Sequence, residues 1–103
     1  MTRYTYIWAF QARADRVEEF LRHYSSGGTW ALLFRRVPGY TGTRLLRDRH
    51  DPLRFVTVDD WESDKHYDAF RIRFSSEYEA LDQICEGLTS VETLVGQFFD
   101  QVA

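Results

Sequence analysis

Leu53-Arg54-Phe55-Val56-Thr57-Val58-Asp59-Asp60-Trp61-Glu62-Ser63-Asp64-Lys65-His66-Tyr67-Asp68-Ala69-Phe70 changes its period halfway along. Up to Trp61 the residues alternate. Leu53, Phe55, Thr57, Asp59 and Trp61 share one face, and Arg54, Val56, Val58 and Asp60 share the other, which is the pattern of a strand. From Ser63 the spacing becomes helical. Ser63 is a plausible N-cap and Asp64 follows in the first turn. Tyr67, Phe70, Phe74, Tyr78, Leu81, Cys85 and Leu88 then fall on one stripe. Ser75-Ser76 either kinks this helix or divides it, and Gly87 lies near its end.

Upstream, Asp51-Pro52 forms a turn, and residues 41–50 form a strand with Thr41, Thr43 and Leu45 on one face, so residues 41–61 make a hairpin. Before it, Trp30, Leu33, Phe34 and Val37 mark a helical piece that Pro38-Gly39 stops. Residues 14–24 form a helix with Val17, Phe20, Leu21 and Tyr24 inside, ended by Ser25-Ser26-Gly27-Gly28. Residues 4–11 are a strand with Tyr4, Tyr6, Trp8 and Phe10 on one face and Thr5, Ile7, Ala9 and Gln11 on the other. Both faces are apolar enough to need cover. Downstream, residues 91–102 form the last strand, with Gly96 at a possible bulge.

The order strand, helix, strand, strand, helix, strand specifies an α+β fold. It is the ferredoxin-like βαββαβ antiparallel sheet with its helices on one face. The opposite face stays open, and an apolar open face is an aggregation liability unless a partner covers it. Pairing into a homodimer is the economical solution.

With 103 residues, 44% of them apolar, and a net charge of −3, the chain is expected to be a single folded domain over residues 1–103 and not a disordered segment. No apolar run reaches the roughly 20 residues of a membrane-spanning helix. The stretch Met1-Thr2-Arg3-Tyr4-Thr5-Tyr6 lacks the features of a signal peptide, so a cytoplasmic location without membrane association is expected. A lone cysteine, Cys85, excludes an internal disulfide framework or a multi-cysteine zinc site. The eight Phe, six Tyr and three Trp exceed what so small a core easily hides, so some of them line a pocket or a subunit interface.

Charge is unevenly placed. Arg35, Arg36, Arg44, Arg47, Arg49 and Arg54 cluster around the hairpin, whereas residues 75–103 carry acids and no base. This is either a solvated basic face or a means of binding anions or pairing subunits. The mildly acidic balance argues against nucleic-acid binding.

Several stretches resemble the antibiotic biosynthesis monooxygenase superfamily. These are Trp61-Glu62-Ser63 entering a helix, Tyr67-Asp68-Ala69-Phe70, Ser76-Glu77-Tyr78, Val17-Glu18-Glu19-Phe20-Leu21 and Pro38-Gly39-Tyr40. The resemblance covers nearly the whole chain. It implies a dimeric α/β barrel made of two ferredoxin-like subunits, with a pocket between sheet and helices in each. Some members oxidise polycyclic phenols to quinones with molecular oxygen and no bound cofactor. Others degrade haem with an Asn on the first strand and a Trp and a His on the second helix. This chain has no asparagine. Phe70 stands at the Trp position and Asp82 near the His position, so haem degradation is disfavoured.

The candidate catalytic residues are Trp61 and His66. The Trp61 indole can stack on a flat substrate or donate a hydrogen bond; otherwise it is a corner residue joining strand to helix. His66, in the first turn of the helix, has a useful proton affinity for a base; otherwise it is a surface histidine. Tyr6, Trp8, Tyr67 and Phe70 are the candidate substrate-binding walls, and each is also a natural core residue. Cys85 on the apolar stripe reads as buried and inert. Three scattered histidines give no metal-ligand pattern, and no phosphate-binding glycine loop or nucleophile elbow is present. The expected function is therefore a cofactor-independent monooxygenase acting on an aromatic, phenol-type small molecule. The alternative is a non-catalytic dimeric module that binds a small molecule or a protein.

Overall fold

The computed structural model describes residues 2–101. Its elements are β1 (Tyr4–Ala12), α1 (Val17–Tyr24), α2 (Thr29–Phe34), β2 (Tyr40–Arg47), β3 (Arg54–Trp61), α3 (Asp64–Arg73), α4 (Ser75–Cys85), a 3₁₀ turn (Glu86–Leu88) and β4 (Thr89–Phe99). The sheet runs β2-β3-β1-β4, with every neighbouring pair antiparallel. The helices lie on one face of it. This is the ferredoxin-like α+β architecture expected from the sequence.

The strand-to-helix junction behaves as its residues dictate. Ser63 Oγ accepts the His66 amide at 3.3 Å and caps α3. The apolar stripe does divide: Phe74, at φ −112° and ψ 29°, separates α3 from α4. Gly96 does sit at a bulge. Ile7 pairs with Gly96 and Trp8 with Leu94, so Val95 is the extra residue in β4.

Other boundaries move, each for a local reason. α1 begins at Val17 because residues 13–16 form a turn closed by the Arg16 amide on Arg13 O at 3.0 Å. α2 stops at Phe34, where i,i+3 bonds from Arg36 to Leu33 and from Val37 to Phe34 tighten the chain, although Val37 still packs on the core. β2 ends at Arg47 because Asp48 Oδ1 captures the amides of His50 and Asp51, at 2.7 and 3.1 Å. The register slips between Tyr40 and Gly42. Thr41 is therefore exposed and does not share the inward face with Thr43 and Leu45, while Tyr40 packs against the core. β4 starts two residues earlier than expected. Val102, the expected end of that strand, lies outside the described residues.

The core is a continuous stack of rings on the helical side of the sheet. Phe20 and Tyr24 stack at 4.5 Å, Phe34 meets Phe70 edge-on at 5.2 Å, and Trp61 meets Phe70 at 5.5 Å. Such pairs contribute about 0.5–1.5 kcal/mol each beyond their burial. The opposite face of the sheet carries Ile7, Val56, Leu46 and Phe98, and no described helix covers it. Leu46 and Phe98 are 44% and 46% exposed.

Candidate functional site

A cavity of about 190 Å³ opens between the sheet and the helices. The inward alternation of β1 brings Tyr6, Trp8 and Phe10 to it. α1 contributes Tyr24, and α2 contributes Trp30 and Phe34. Tyr78 and Asp82 come from α4, Thr43 from β2, Thr57 and Asp59 from β3, and Glu92 from β4. A dry cavity of roughly 150 Å³ accommodates benzene, so this one has room for a somewhat larger ring system. The rings supply flat apolar walls, with hydroxyls and carboxylates set among them.

Asp59 is the chemically distinctive member. It is 6% exposed, on the central strand β3, among aromatic neighbours. Burial pushes its carboxyl up to about 6, the nearby Asp60 charge adds to the rise, and the Thr43 hydroxyl, which donates to Oδ1, opposes it. Thr43 has a single proton and gives it to Asp59. The 2.6 Å contact between Tyr40 and Thr43 hydroxyls therefore has Tyr40 as donor. A chain of hydroxyls thus runs Tyr40, Thr43, Asp59.

The other titratable groups of the cavity differ. Burial raises the phenols of Tyr6, Tyr24 and Tyr78, so they stay protonated and act as hydrogen-bond donors. Glu92, at the exposed end, is raised by partial burial and then by Asp82. Among the described residues, no group of three or more His, Cys, Asp or Glu converges to hold a metal ion. Cys85 is buried, and burial raises its thiol.

The structure brings two of the sequence candidates, Tyr6 and Trp8, into the cavity wall. Tyr67 lies directly behind Tyr6, with ring centroids 5.0 Å apart, and its hydroxyl accepts from Arg71 Nη1 at 3.1 Å. Phe70 and Trp61 are both 0% exposed and sit one layer deeper, in the core. The Trp61 indole N–H has no hydrogen-bond partner among the described residues. His66 stands at the start of α3, away from the cavity lining. Its Nδ1 is 2.7 Å from Ser63 Oγ, its Nε2 is 3.9 Å from Glu62, and its ring packs on Gly39. His23 is half-buried, with Nδ1 3.0 Å from Thr29 Oγ1, which ties α1 to the start of α2.

Asp59 and Thr43, which line the cavity, are not among the sequence candidates. The signal was present: strand alternation puts a carboxylate on the same face as Phe55, Thr57 and Trp61, and an acid on an apolar face is rare unless it is paired or used.

The family profile described as "Antibiotic biosynthesis monooxygenase" matches residues 3–73. Solved structures share the fold. PA3566 from Pseudomonas aeruginosa is 19% identical, with a TM-score of 0.71 over 99% of this chain and 97% of that one. SnoaB, a cofactor-independent oxygenase from Streptomyces nogalater, is 20% identical, with a TM-score of 0.66 over 100% and 97%. A conserved protein from Methanosarcina mazei is 13% identical, with a TM-score of 0.71 over 98% and 95%. No curated protein matches the chain significantly. On the strength of a family match spanning more than two thirds of its length, the chain belongs to the antibiotic biosynthesis monooxygenase family.

Proposed function

We propose that the protein is a cofactor-independent monooxygenase acting on an aromatic, phenol-type molecule held in the cavity, with Asp59 as the proton acceptor. The observation that carries this is a buried carboxylate, poised near pH 6, opening on an aromatic-walled cavity. Family membership supports the reaction class, and SnoaB, which has the same fold, is a cofactor-independent oxygenase.

In this reaction Asp59 removes a proton from the substrate and leaves an electron-rich carbanion or phenolate. That anion passes one electron to oxygen, and the radical pair collapses to a peroxide. Loss of the remaining C–H proton with cleavage of the O–O bond gives a carbonyl and water. A ring CH₂ plus O₂ thus becomes C=O plus H₂O, with no outside reductant. The protein supplies orientation by Tyr6 and Trp8, deprotonation by Asp59, and exclusion of water by the surrounding rings.

The test is oxygen uptake with anthrone-type and naphthol-type substrates, comparing the natural protein with Asp59→Asn. Turnover above the buffer rate is expected, and the variant is expected to lose roughly 10²–10⁴-fold of it. Binding without oxygen consumption would instead support a ligand-binding module.

We also propose that a second copy of the chain covers the open sheet face. The edge strand β4 leaves Val91, Val95 and Phe98 about half exposed, beside Ile7 and Val56. Light scattering at low micromolar concentration is expected to give twice the chain mass, and a monomer there overturns the pairing.

A further inference from the structure

The cavity is one-sided in charge. Three carboxylates, those of Asp59, Asp82 and Glu92, face it, and no Lys, Arg or His belongs to its described lining. The guanidinium of Arg71 stands behind the wall and is already engaged, with Cζ 3.8 Å from the Tyr78 ring centroid and Nη1 on the Tyr67 hydroxyl. The other donors in the lining are neutral: hydroxyls of threonine and tyrosine, and indole N–H groups.

The carboxylates are also separated. Asp59 pairs with Tyr6 on one side of β1, and Glu92 pairs with Phe10 on its other side. Four residues of strand put them about 13 Å apart along β1. Asp82 lies near Glu92, close enough for its charge to act on it, and both are exposed. One end of the cavity is thus a buried single carboxylate, and the other is a solvent-facing pair. Between them the lining includes the indoles of Trp8 and Trp30, aromatic rings of the kind that attract cations.

We infer that the cavity selects its aromatic ligand by charge, favouring one that carries an ammonium group directed to the Asp82–Glu92 mouth and excluding aromatic carboxylates. The selection rests on the aromatic-ligand reading above but not on the oxygen chemistry. A cation at the mouth meets two carboxylates and aromatic rings. A carboxylate meets like charge and no basic partner, and leaves its desolvation uncompensated.

The test uses three probes with one ring system: naphthylmethylammonium, naphthylmethanol and naphthoate. Each is titrated at neutral pH and low salt into the natural protein and into an Asp82→Asn/Glu92→Gln double variant, with tryptophan fluorescence as readout. The ammonium is expected to bind about tenfold tighter than the alcohol, with the carboxylate weakest. In the double variant, whose changes lie at exposed positions, the gap between the ammonium and the other two probes is expected to narrow severalfold, with Asp59 left as the single carboxylate. Added salt is expected to narrow the gap in the natural protein. Equal affinities, a preference for naphthoate, or a gap that survives undiminished in the double variant overturns charge selection alone. Failure of all three probes to bind overturns it together with the aromatic cavity. The expected order without oxygen turnover removes only the oxygenase.

Discussion

Replacing Asp59 by Asn is predicted to stabilise the protein while disabling it. The native carboxyl titrates at about 6 against an ordinary 3.8. Its folded form therefore holds a proton more tightly than the unfolded chain does. Between these two values the native state binds more protons, so stability falls as pH rises, and above about 6 it levels off. The gap corresponds to about 3 kcal/mol of stability forgone at neutral pH. Asn is neutral at every pH, has nearly the same shape, and its Oδ1 can still accept from Thr43. The variant and the natural protein are therefore expected to match below about pH 3.8 and to diverge to about 3 kcal/mol above pH 7, a melting-point gain of roughly 12–24 °C. Urea titrations over that range, at one protein concentration, measure the divergence. A constant difference, or a variant less stable than the natural protein above pH 7, refutes the buried-carboxylate account.

Three further outcomes follow from the same geometry. Thr43→Val removes the donor that lowers Asp59, so the acid limb of the kcat/KM profile is expected to move to higher pH; an unmoved limb places the base elsewhere. His66→Gln is expected to leave that limb in place because the ring is outside the cavity lining and held by Ser63, and a lost limb would restore His66 as the base. Trp61→Phe is expected to cost about 1–3 kcal/mol of stability in denaturant titrations with little change in ligand affinity; lost binding with intact stability would put the indole in the site.

The fold was legible because its signals are periodic and redundant. The stretch from Leu53 to Phe70 announces strand, cap and helix, and the aromatic alternation of β1 fixes which face is inside. Boundaries were less legible where a single side chain decides them, as when Asp48 takes two turn amides and ends β2. The slip at Thr41 does have a trace in Gly42, a strand glycine at φ 154°, but a glycine alone does not state which neighbouring residue is left out of the ladder. For the site, the aromatic excess called for a pocket or an interface, and Tyr6 and Trp8 stand in the wall of the cavity. Helical spacing could place Tyr67 and Phe70 on an inward stripe, but it could not say which inward residues face a void and which face other rings. Asp59 is not among the sequence candidates for a related reason. Attention to residues with a near-neutral ordinary proton affinity favours histidine, whereas here burial gives a carboxylate that property.

That burial is imposed by the sheet. β3 lies between β2 and β1, and its backbone is held by two ladders. For Asp59 to reach the other face, the strand would have to slip by one residue, which would carry Phe55, Thr57 and Trp61 out with it. The carboxylate therefore cannot relieve its desolvation by moving, and Thr43 moderates the cost without removing it. A group fixed in this way needs no reorganisation to accept a proton, which is what a base must offer in a water-poor cavity. His66 has the opposite situation, partly exposed at a helix start with Nδ1 engaged by the capping serine. In the proposed mechanism the cost to stability at Asp59 and its use as a base share one physical origin, so a substitution that relieves the first is expected to remove the second.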